Sequence, residues 1–250
     1  MAVSIKSARE IELMREAGKR LAHVHQELEA MIAPGFSTWE IDAKGEKLIR
    51  DCGCIPNFLH YNGYPASICV SVNDEVVHGI PRKDRYLKEG DIVSLDAGLI
   101  YKGYHSDAAR THAVGKVSTE AQKLMDVTKQ SFFEGIKMAK EGQHLHDISR
   151  AIEEYVTPYG YGIVRDLVGH GIGTALHEDP QIPNYAQKRR GVRLQAGMTL
   201  AIEPMINAGT WQVRFLRDGW TVVTKDGSLS AHYENTILVT DGEPEILTLY

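Results

Sequence analysis

The sequence predicts an α+β protein made of two similar halves, in which two pairs of helices cover a curved antiparallel sheet. Three observations support this fold class: an internal repeat, two pairs of helical segments in the same order, and two matching strand segments that each end in a carboxylate. The 250 residues are 43% hydrophobic, which is enough for a substantial core. Since no low-complexity linker interrupts the chain, we predict a single domain over residues 1–250, with approximate halves 1–115 and 116–250.

The internal repeat has a constant offset of 107 positions. The first-half residues Gly35, Ile41, Glu46, Leu87, Gly90 and Asp96 recur as Gly142, Ile148, Glu153, Leu194, Gly197 and Glu203. Single matches of glycine or leucine arise often by chance, so the constant offset carries the argument. The segments LKEGDIVSLD and LQAGMTLAIE are then equivalent strands, each of which reaches a carboxylate six residues after its glycine.

The helical segments are predicted from their capping residues and their breaks. Ser7 with Glu10, and Ser37 with Glu40, form S-x-x-E capping boxes ahead of amphipathic runs. The segments STEAQKLMDVTKQSFFEGIKMAK and HDISRAIEEYVTPYG predict a second helical pair, which ends at Pro158. The same order of elements therefore occurs twice.

Charge and cysteine content exclude several functional classes. A net charge of −5 and a pI near 6.1 do not favour nucleic acid or an anionic membrane as the main partner. No stretch approaches the roughly 18 apolar residues of a membrane span, and the N-terminus lacks the apolar region of a signal peptide. Three cysteines without a C-x-x-C pair favour reduced thiols, although Cys52 and Cys54 could supply two metal ligands. We expect a cytoplasmic protein.

Two aspartates lie in segments that predict the arms of one β-hairpin. If Lys102-Gly103 is the turn, Asp96 faces Ala109 and Asp107 lies two residues further along on the same face. Buried carboxylates are costly in a strand unless a cation or other partners neutralise them. The pair therefore indicates a divalent metal site, whereas the alternative places each aspartate in water at a turn or sheet edge.

Three further residues extend this candidate metal site. Glu203 ends the apolar strand MTLAIE, and Glu234 precedes the strand TILVT. His170 lies in VGHGIG, where the flanking glycines would let the imidazole reach inward. Four carboxylates and one imidazole suit Mn, Fe, Co or Zn. Such a set can hold two cations around a shared water or hydroxide, which is a hydrolytic nucleophile.

The remaining histidines fall into three groups. Those on predicted helices, where a packed or solvated role is expected, are His23, His25, His144 and His146. A second group flanks the proposed ligands as sheet residues that could support them: His105, His112 and His232. His78 and His177 occupy comparable H-G-I-P and H-E-D-P settings, where they could polarise a carbonyl oxygen or orient an amide. Loop structure is the alternative for this pair.

The motifs together resemble the bacterial type I methionine aminopeptidases. The resemblance rests on YNGYPASICVSVNDEVVHGIP, SLDAGLIYKGYHSDAARTHAVG, VGHGIGTALHEDP, TLAIEPM and SAHYENTILVT, and it extends over almost the whole chain. It implies the duplicated pita-bread fold and removal of the initiator methionine from nascent polypeptides at the ribosome. It also implies a preference for a small second residue and a monomeric state. The absence of a zinc-binding extension or a long insertion suggests a minimal bacterial form.

The resemblance implies a role for each matching residue. Asp96 and Asp107 supply metal carboxylates, His170 and Glu203 bind one metal, and Glu234 bridges two divalent ions, which could be Co, Mn, Fe(II) or Zn. Glu203 accepts the proton of the bridging water, His177 polarises the substrate carbonyl, and His78 contacts the peptide nitrogen. The methionine pocket comprises Phe58, Tyr61, Tyr64, Cys69, Leu176 and Trp220. Asn73 and Ser230 match a monovalent-cation site for Na or K.

Two other classes of protein remain as alternatives. A proline-directed peptidase such as prolidase or aminopeptidase P shares the ligand pattern but usually carries a large N-terminal domain, for which the segment before Asp96 leaves no room. A creatinase-like amidinohydrolase would not need all the ligands. A non-catalytic binding module would have no reason to retain them together with both histidines. Assays on methionyl and prolyl peptides with added metal distinguish these alternatives.

Overall fold

The computed structural model describes residues 3–249. Its four helices are α1 (Ala8–Glu29), α2 (Thr38–Asp51), α3 (Thr119–Ile136) and α4 (Leu145–Val156), with short 3-10 turns at Tyr61–Gly63 and Thr157–Tyr159. The first strands are β1 (Ile55–Pro56), β2 (Ile68–Val72), β3 (Glu75–Val77), β4 (Ile92–Tyr101), β5 (Tyr104–Ala113), β6 (Gly162–Ile163), β7 (Gly169–Gly171) and β8 (Glu178–Ile182). The later strands are β9 (Thr199–Ile202), β10 (Met205–Asn207), β11 (Val213–Phe215), β12 (Val222–Thr224), β13 (Ser230–His232), β14 (Glu234–Leu238) and β15 (Glu245–Ile246).

A nine-stranded antiparallel sheet forms the centre of the fold. Its main path runs β1-β4-β5-β14-β9-β7-β8, while β2 joins β4 and β15 joins β14. Two three-stranded sheets, β13-β10-β6 and β11-β12-β3, complete the strand pairing. Because β14 pairs with β5 on one side and β9 on the other, strands from both halves of the sequence share one sheet. The predicted α+β class with an antiparallel sheet is confirmed.

Each helical pair packs on the strands of its own half. On the first-half side, Leu21 of α1 and Ile41 of α2 are buried in one cluster with Leu95 of β4. On the second-half side, Phe132 of α3 is buried with strand residues such as Leu200. Full burial of one such side chain contributes about 1.5–3 kcal/mol. Two apolar clusters of similar construction therefore fix the helices against the sheet.

The predicted repeat is also present in the backbone. Gly35 and Gly142, the first repeated pair, have φ angles of 98° and 88°. Gly90 and Gly197, which precede the two repeated carboxylates, have φ angles of 91° and 93°. These are left-handed conformations that glycine adopts without steric strain. Equivalent turns thus lead into equivalent strands in the two halves.

The predicted helix ends are largely confirmed. In both capping boxes, Ser7 with Glu10 and Ser37 with Glu40, the serine side chain accepts from the glutamate backbone and the glutamate side chain accepts in return. Helix α4 ends two residues before Pro158, which lies in the following 3-10 turn. Within residues 3–249, no helix has the length and apolar character needed to cross a membrane.

Candidate functional site

The β4–β5 hairpin has the predicted register and places two aspartates on one face. Asp96 pairs with Ala109, and Asp107 pairs with Gly98, two residues further along β4. Burial raises the pKa of both carboxyls, and the proximity of Asp96 raises the pKa of Asp107 further. Both pKa shifts reflect the difficulty of keeping two neighbouring carboxylates charged in a dry site. The hairpin therefore supplies paired carboxylates that need a counter-charge.

Glu234 continues the same row of side chains into the second half. It pairs with Ala109 on β5, which itself pairs with Asp96, so the three residues lie side by side across the sheet. Directly opposed residues of antiparallel strands share a face. The Glu234 side chain is buried, and burial followed by the charge of Asp107 raises the pKa of its carboxyl.

Glu203 and His170 approach this row from the other side. Glu203 directly follows β9, and burial raises the pKa of its carboxyl. His170 on β7 pairs with Ala201 of β9, and its Nε2 lies 3.7 Å from Glu203 Oε1 and 3.9 Å from Asp107 Oδ2. The His170 Nδ1–H donates to the Gly171 carbonyl at 2.9 Å, which leaves Nε2 to face the carboxylates.

The donor atoms fit divalent cations. Within residues 3–249, Asp96 Oδ1, Asp107 Oδ1 and Glu234 Oε1 are buried and accept no hydrogen bond. The acceptor atoms of Asp107, His170 and Glu234 all lie within 4.8 Å of one another. Burial lowers the pKa of His170 to about 4, so its imidazole is in the neutral form that binds metals. Oxygen donors with one imidazole suit divalent ions such as Mn, Fe, Co and Zn.

A cavity of about 270 Å³ opens onto these carboxylates. It is lined by Phe58, Tyr61, Asn62, Tyr64, Cys69, His78, Asp96, Asp107, His170, Leu176, His177, Glu203, Trp220 and Glu234. Thus the predicted ligands, both predicted histidines and all six predicted pocket residues border one space. Asn62 was not predicted, although its place in the YNGY segment and its positive φ of 49° mark a constrained turn.

The two predicted histidines occupy different walls of the cavity. The ring of His177 is 4.4 Å from that of His170, and its Nδ1 is 2.8 Å from the Tyr61 hydroxyl. His78 has a positive φ of 57°, and its ring meets the edge of Trp220 at 6.3 Å. Burial lowers the pKa of both imidazoles, for His78 to about 4. Both are neutral hydrogen-bonding groups near neutral pH.

The positions on either side of His170 require glycine for a steric reason that the sequence did not reveal. A Cβ at Gly169 would lie 2.4 Å from the Ala201 carbonyl oxygen, and one at Gly171 would lie 2.2 Å from the Asp179 carbonyl oxygen. Such approaches are far below van der Waals contact. The glycines therefore permit close packing of β7 between its two neighbouring strands, which in turn positions the imidazole.

His232 lies closer to the ligand set than its sequence context indicated. Its Nε2 is 3.6 Å from Glu203 Oε2 and 3.9 Å from Glu234 Oε2. Burial lowers the pKa of its imidazole to about 4. His232 ends β13 and Glu234 begins β14, so alternation along one strand could not have identified this direction from the sequence.

Asn73 and Ser230, predicted to bind a monovalent cation, are neighbours in the structure. The Ser230 backbone N–H donates to the Asn73 carbonyl at 2.9 Å. The Asn73 side chain donates to Asp91 and accepts from the Ile92 N–H, and the Ser230 hydroxyl donates to Asn207. Both side chains thus have protein partners, and the monovalent-cation site stays a prediction.

Comparison with known proteins agrees with this geometry. Residues 12–241 match the model of metallopeptidase family M24. The chain is 54% identical over 247 residues to a methionine aminopeptidase of Clostridium acetobutylicum, with 99% of each chain covered. A crystal structure of the methionine aminopeptidase from Thermotoga maritima superposes with a TM-score of 0.97 at 46% identity, covering 100% of both chains.

A proline-directed relative is more distant. An Xaa-Pro dipeptidase from Bacillus anthracis superposes with a TM-score of 0.80 at 26% identity, and the match covers 98% of this chain but 61% of that one. The shared fold is therefore the pita-bread fold, whereas the high identity over full length is with methionine aminopeptidases. The chain belongs to metallopeptidase family M24 and groups within it with the methionine aminopeptidases.

Proposed function

We propose that the protein is a metal-dependent methionine aminopeptidase that removes the initiator methionine from peptides and nascent proteins with a small second residue. The proposal rests on one observation: a single cavity is bordered by the carboxylates, by two neutral histidines and by an apolar cup. The cup is formed by Phe58, Tyr61, Tyr64, Cys69, Leu176 and Trp220. Such a cup beside the carboxylates would hold the first side chain of a peptide next to its first peptide bond. The reaction is hydrolysis of the first peptide bond.

The cations would be held by Asp96, Asp107, His170, Glu203 and Glu234, whose donor atoms converge and in part lack protein partners. When bound, a pair of divalent cations supplies a Lewis acid and lowers the pKa of the attacking water. The carboxylate-rich set accommodates Co, Mn, Fe(II) or Zn.

Glu203 would move the proton in this reaction. It borders the cavity with 14% of its side chain exposed, and its two carboxylate oxygens face different imidazoles, that of His170 and that of His232. A buried carboxylate can take the proton of the attacking water and deliver it to the departing amine. The free amine would then leave with the shortened peptide.

His177 would stabilise the carbonyl oxygen as negative charge develops on it. If the Tyr61 hydroxyl donates to Nδ1 over 2.8 Å, the proton of the neutral ring is on Nε2 and is available to the substrate. His78, held by a left-handed backbone and by Trp220, would contact the peptide nitrogen. Fixed donors in a dry site stabilise such charge strongly.

The apolar cup would bind the methionine side chain. Phe58, Tyr64, Cys69 and Leu176 are buried in one cluster, with Tyr61 and Trp220 packed against it. Aromatic rings and a thiol are favourable neighbours for a polarisable thioether. The Tyr64 hydroxyl donates to the Gly79 carbonyl at 2.9 Å, so its polar end is satisfied and the ring faces the cup.

The broader assignments are part of the same proposal. Residues 1–250 would form one catalytic domain that acts as a monomer in the cytoplasm on nascent chains at the ribosome, without a membrane or a specific nucleic acid. Asn73 and Ser230 would border a site for Na or K. The net charge of −5 supports a protein rather than a nucleic-acid partner.

The test is a peptide assay on protein that has been stripped of metal. Met-Gly-Met-Met, Gly-Pro and Ala-Pro-Gly are assayed under anaerobic conditions while Mn, Fe(II), Co or Zn is titrated. Metal-restored release of methionine from the first peptide alone is expected. Cleavage confined to bonds before proline would transfer the protein to the proline-directed relatives, and absence of hydrolysis with every ion would contradict an enzymatic role.

A further inference from the structure

The five proposed ligands do not explain why the imidazole of His232 is buried. His232 lies on β13, opposite Met205 of β10, and its side chain is 1% exposed. Within residues 3–249, neither of its ring nitrogens has a hydrogen-bond partner. Buried imidazole nitrogens without partners are unfavourable, so this ring needs a ligand that the protein itself does not supply.

The ring is directed at two of the acidic ligands. Its Nε2 lies 3.6 Å from Glu203 Oε2 and 3.9 Å from Glu234 Oε2, beyond ordinary hydrogen-bond length. One donor atom from each of these three residues falls within a mutual distance of 4.8 Å. A cation between them could be reached by all three.

This group mirrors the one around His170. Asp107, His170 and Glu234 form a second set with the same mutual distance limit, and Glu234 belongs to both sets. Glu203 presents Oε1 to His170 at 3.7 Å and Oε2 to His232 at 3.6 Å. The carboxylates therefore lie between two imidazoles, one on each side.

We infer that His232 is a sixth ligand of the metal centre, with Nε2 coordinating the cation that Glu203 and Glu234 share on the side away from His170. His232 does not line the substrate cavity and borders a different cavity instead, together with His112 and Tyr233. The inference rests on the proposed metal-dependent function and adds one nitrogen donor to it.

A second imidazole changes the ion preference of the centre. With His170 at one proposed cation site and His232 at the other, each cation would have a nitrogen ligand. Nitrogen ligands suit Zn, Co, Fe and Ni better than the oxygen-preferring Mg and Ca. Substitution of His232 should therefore weaken binding of one of two Co(II) equivalents while the other remains. We expect a weakening of about tenfold or more, since even supporting residues outside the ligand set contribute that much.

The decisive experiment counts coordinated imidazoles in the full chain. Metal-free protein is titrated with two equivalents of Co(II) and followed by calorimetry and by ¹H NMR, in which each Co(II)-bound histidine gives a strongly shifted, exchangeable ring N–H signal. Two such signals are expected for the unsubstituted protein, and one for His232→Ala or His170→Ala. His232→Gln, which keeps a polar side chain of similar length, is also expected to give one.

A matched control is His112→Ala, which removes another largely buried imidazole whose Nδ1 lies 3.9 Å from Glu29 rather than beside the ligands. It should retain both signals. A single signal in the unsubstituted protein, or two in a folded His232→Gln variant, would overturn the assignment of His232. If the unsubstituted protein bound no Co(II), the proposed metal-dependent function would fail first, which separates the two conclusions.

Discussion

Cys69 and Asp96 stand directly opposite each other in the β2–β4 ladder, so a residue of the proposed apolar cup and a carboxylate of the proposed metal centre are cross-strand neighbours. Opposed residues share a face of the sheet. A substitution at Cys69 should therefore alter the proposed binding site of the methionine side chain close to the proposed metal ligands. In the proposed function, binding of the methionine side chain and positioning of the peptide bond therefore depend on neighbouring residues of one sheet.

A larger side chain at Cys69 should obstruct the cup. Cys69→Leu adds volume next to a cavity of about 270 Å³, and overpacking of this kind typically costs 1–3 kcal/mol. We expect KM for methionyl peptides to rise by about tenfold, while bound metal measured by elemental analysis stays unchanged. Cys54→Ala, which alters a buried thiol outside the cup, should leave KM as it was. Equal KM values for the two variants would contradict the assignment of the cup.

Loss of a ligand should abolish stabilisation by metal. The unsubstituted protein should gain about 2.7 kcal/mol in free energy of unfolding when metal is present at a hundred times its Kd. Glu203→Gln should lose most of this gain together with activity, whereas the exposed Asp84→Asn should retain both. Urea unfolding with and without Mn or Co measures the effect. A full metal-dependent gain in Glu203→Gln would exclude that residue as a ligand.

His177 should affect turnover without affecting metal content. His177→Ala removes the proposed donor to the carbonyl oxygen and should lower kcat by about a hundredfold or more. Tyr61→Phe removes only the 2.8 Å hydrogen bond that orients the ring, so a smaller loss in kcat is expected. Steady-state kinetics on metal-saturated protein, with metal content measured in parallel, provide the comparison. Unchanged kcat in both variants would leave the histidine without a catalytic role.

His25 should make the protein less stable in acid. Its ring is fully buried, and its Nε2–H donates to the Ala108 carbonyl at 2.8 Å. Burial, followed by the charges of Arg110 and His112 on β5, lowers the pKa of this imidazole well below its usual value. The unfolded chain therefore binds a proton below about pH 6.5 that the folded chain excludes, and stability falls as the pH drops through that value.

The test substitutes a side chain that can still donate to Ala108. His25→Gln should lose less free energy of unfolding between pH 7 and pH 5 than the unsubstituted protein, as measured by urea denaturation in the absence of metal. His23→Gln, at an exposed position on the same helix, should show the original pH dependence. Parallel curves for His25→Gln and His23→Gln would rule out a contribution from the buried ring.

Gly171 should tolerate no side chain. Its Cβ would approach the Asp179 carbonyl oxygen to 2.2 Å, so Gly171→Ala would force β7 and β8 apart and displace His170. We expect a destabilisation of about 1–3 kcal/mol and weaker metal binding. Gly242→Ala is the control, because its nearest neighbour would be 3.9 Å away. Wild-type stability in Gly171→Ala, measured by thermal unfolding, would mean that the strands can separate without loss.

Local rules predicted some parts of this fold well and others poorly. The β4–β5 register follows from the turn at Lys102 and Gly103, and the capping boxes fix where α1 and α2 begin, because each depends on a few adjacent residues. The short strands β6, β10 and β13 have only two or three residues, too few for a periodic pattern. Their pairing depends on contacts distant in sequence, and so does the direction of His232, which only the β10–β13 register reveals.

The 107-residue repeat has a consequence for the history of the site. Asp96 and Glu203 occupy equivalent positions in the two halves, so an ancestral pair of identical halves would have offered two symmetric carboxylates. In the central strand order β4-β5-β14-β9, β4 corresponds to β9 and β5 to β14. Asp107 of β5 therefore corresponds to Glu234, the first residue of β14, although these two residues do not have the 107-residue offset. The four carboxylates thus form two pairs related by the repeat, and His170 is the proposed ligand that makes the centre asymmetric.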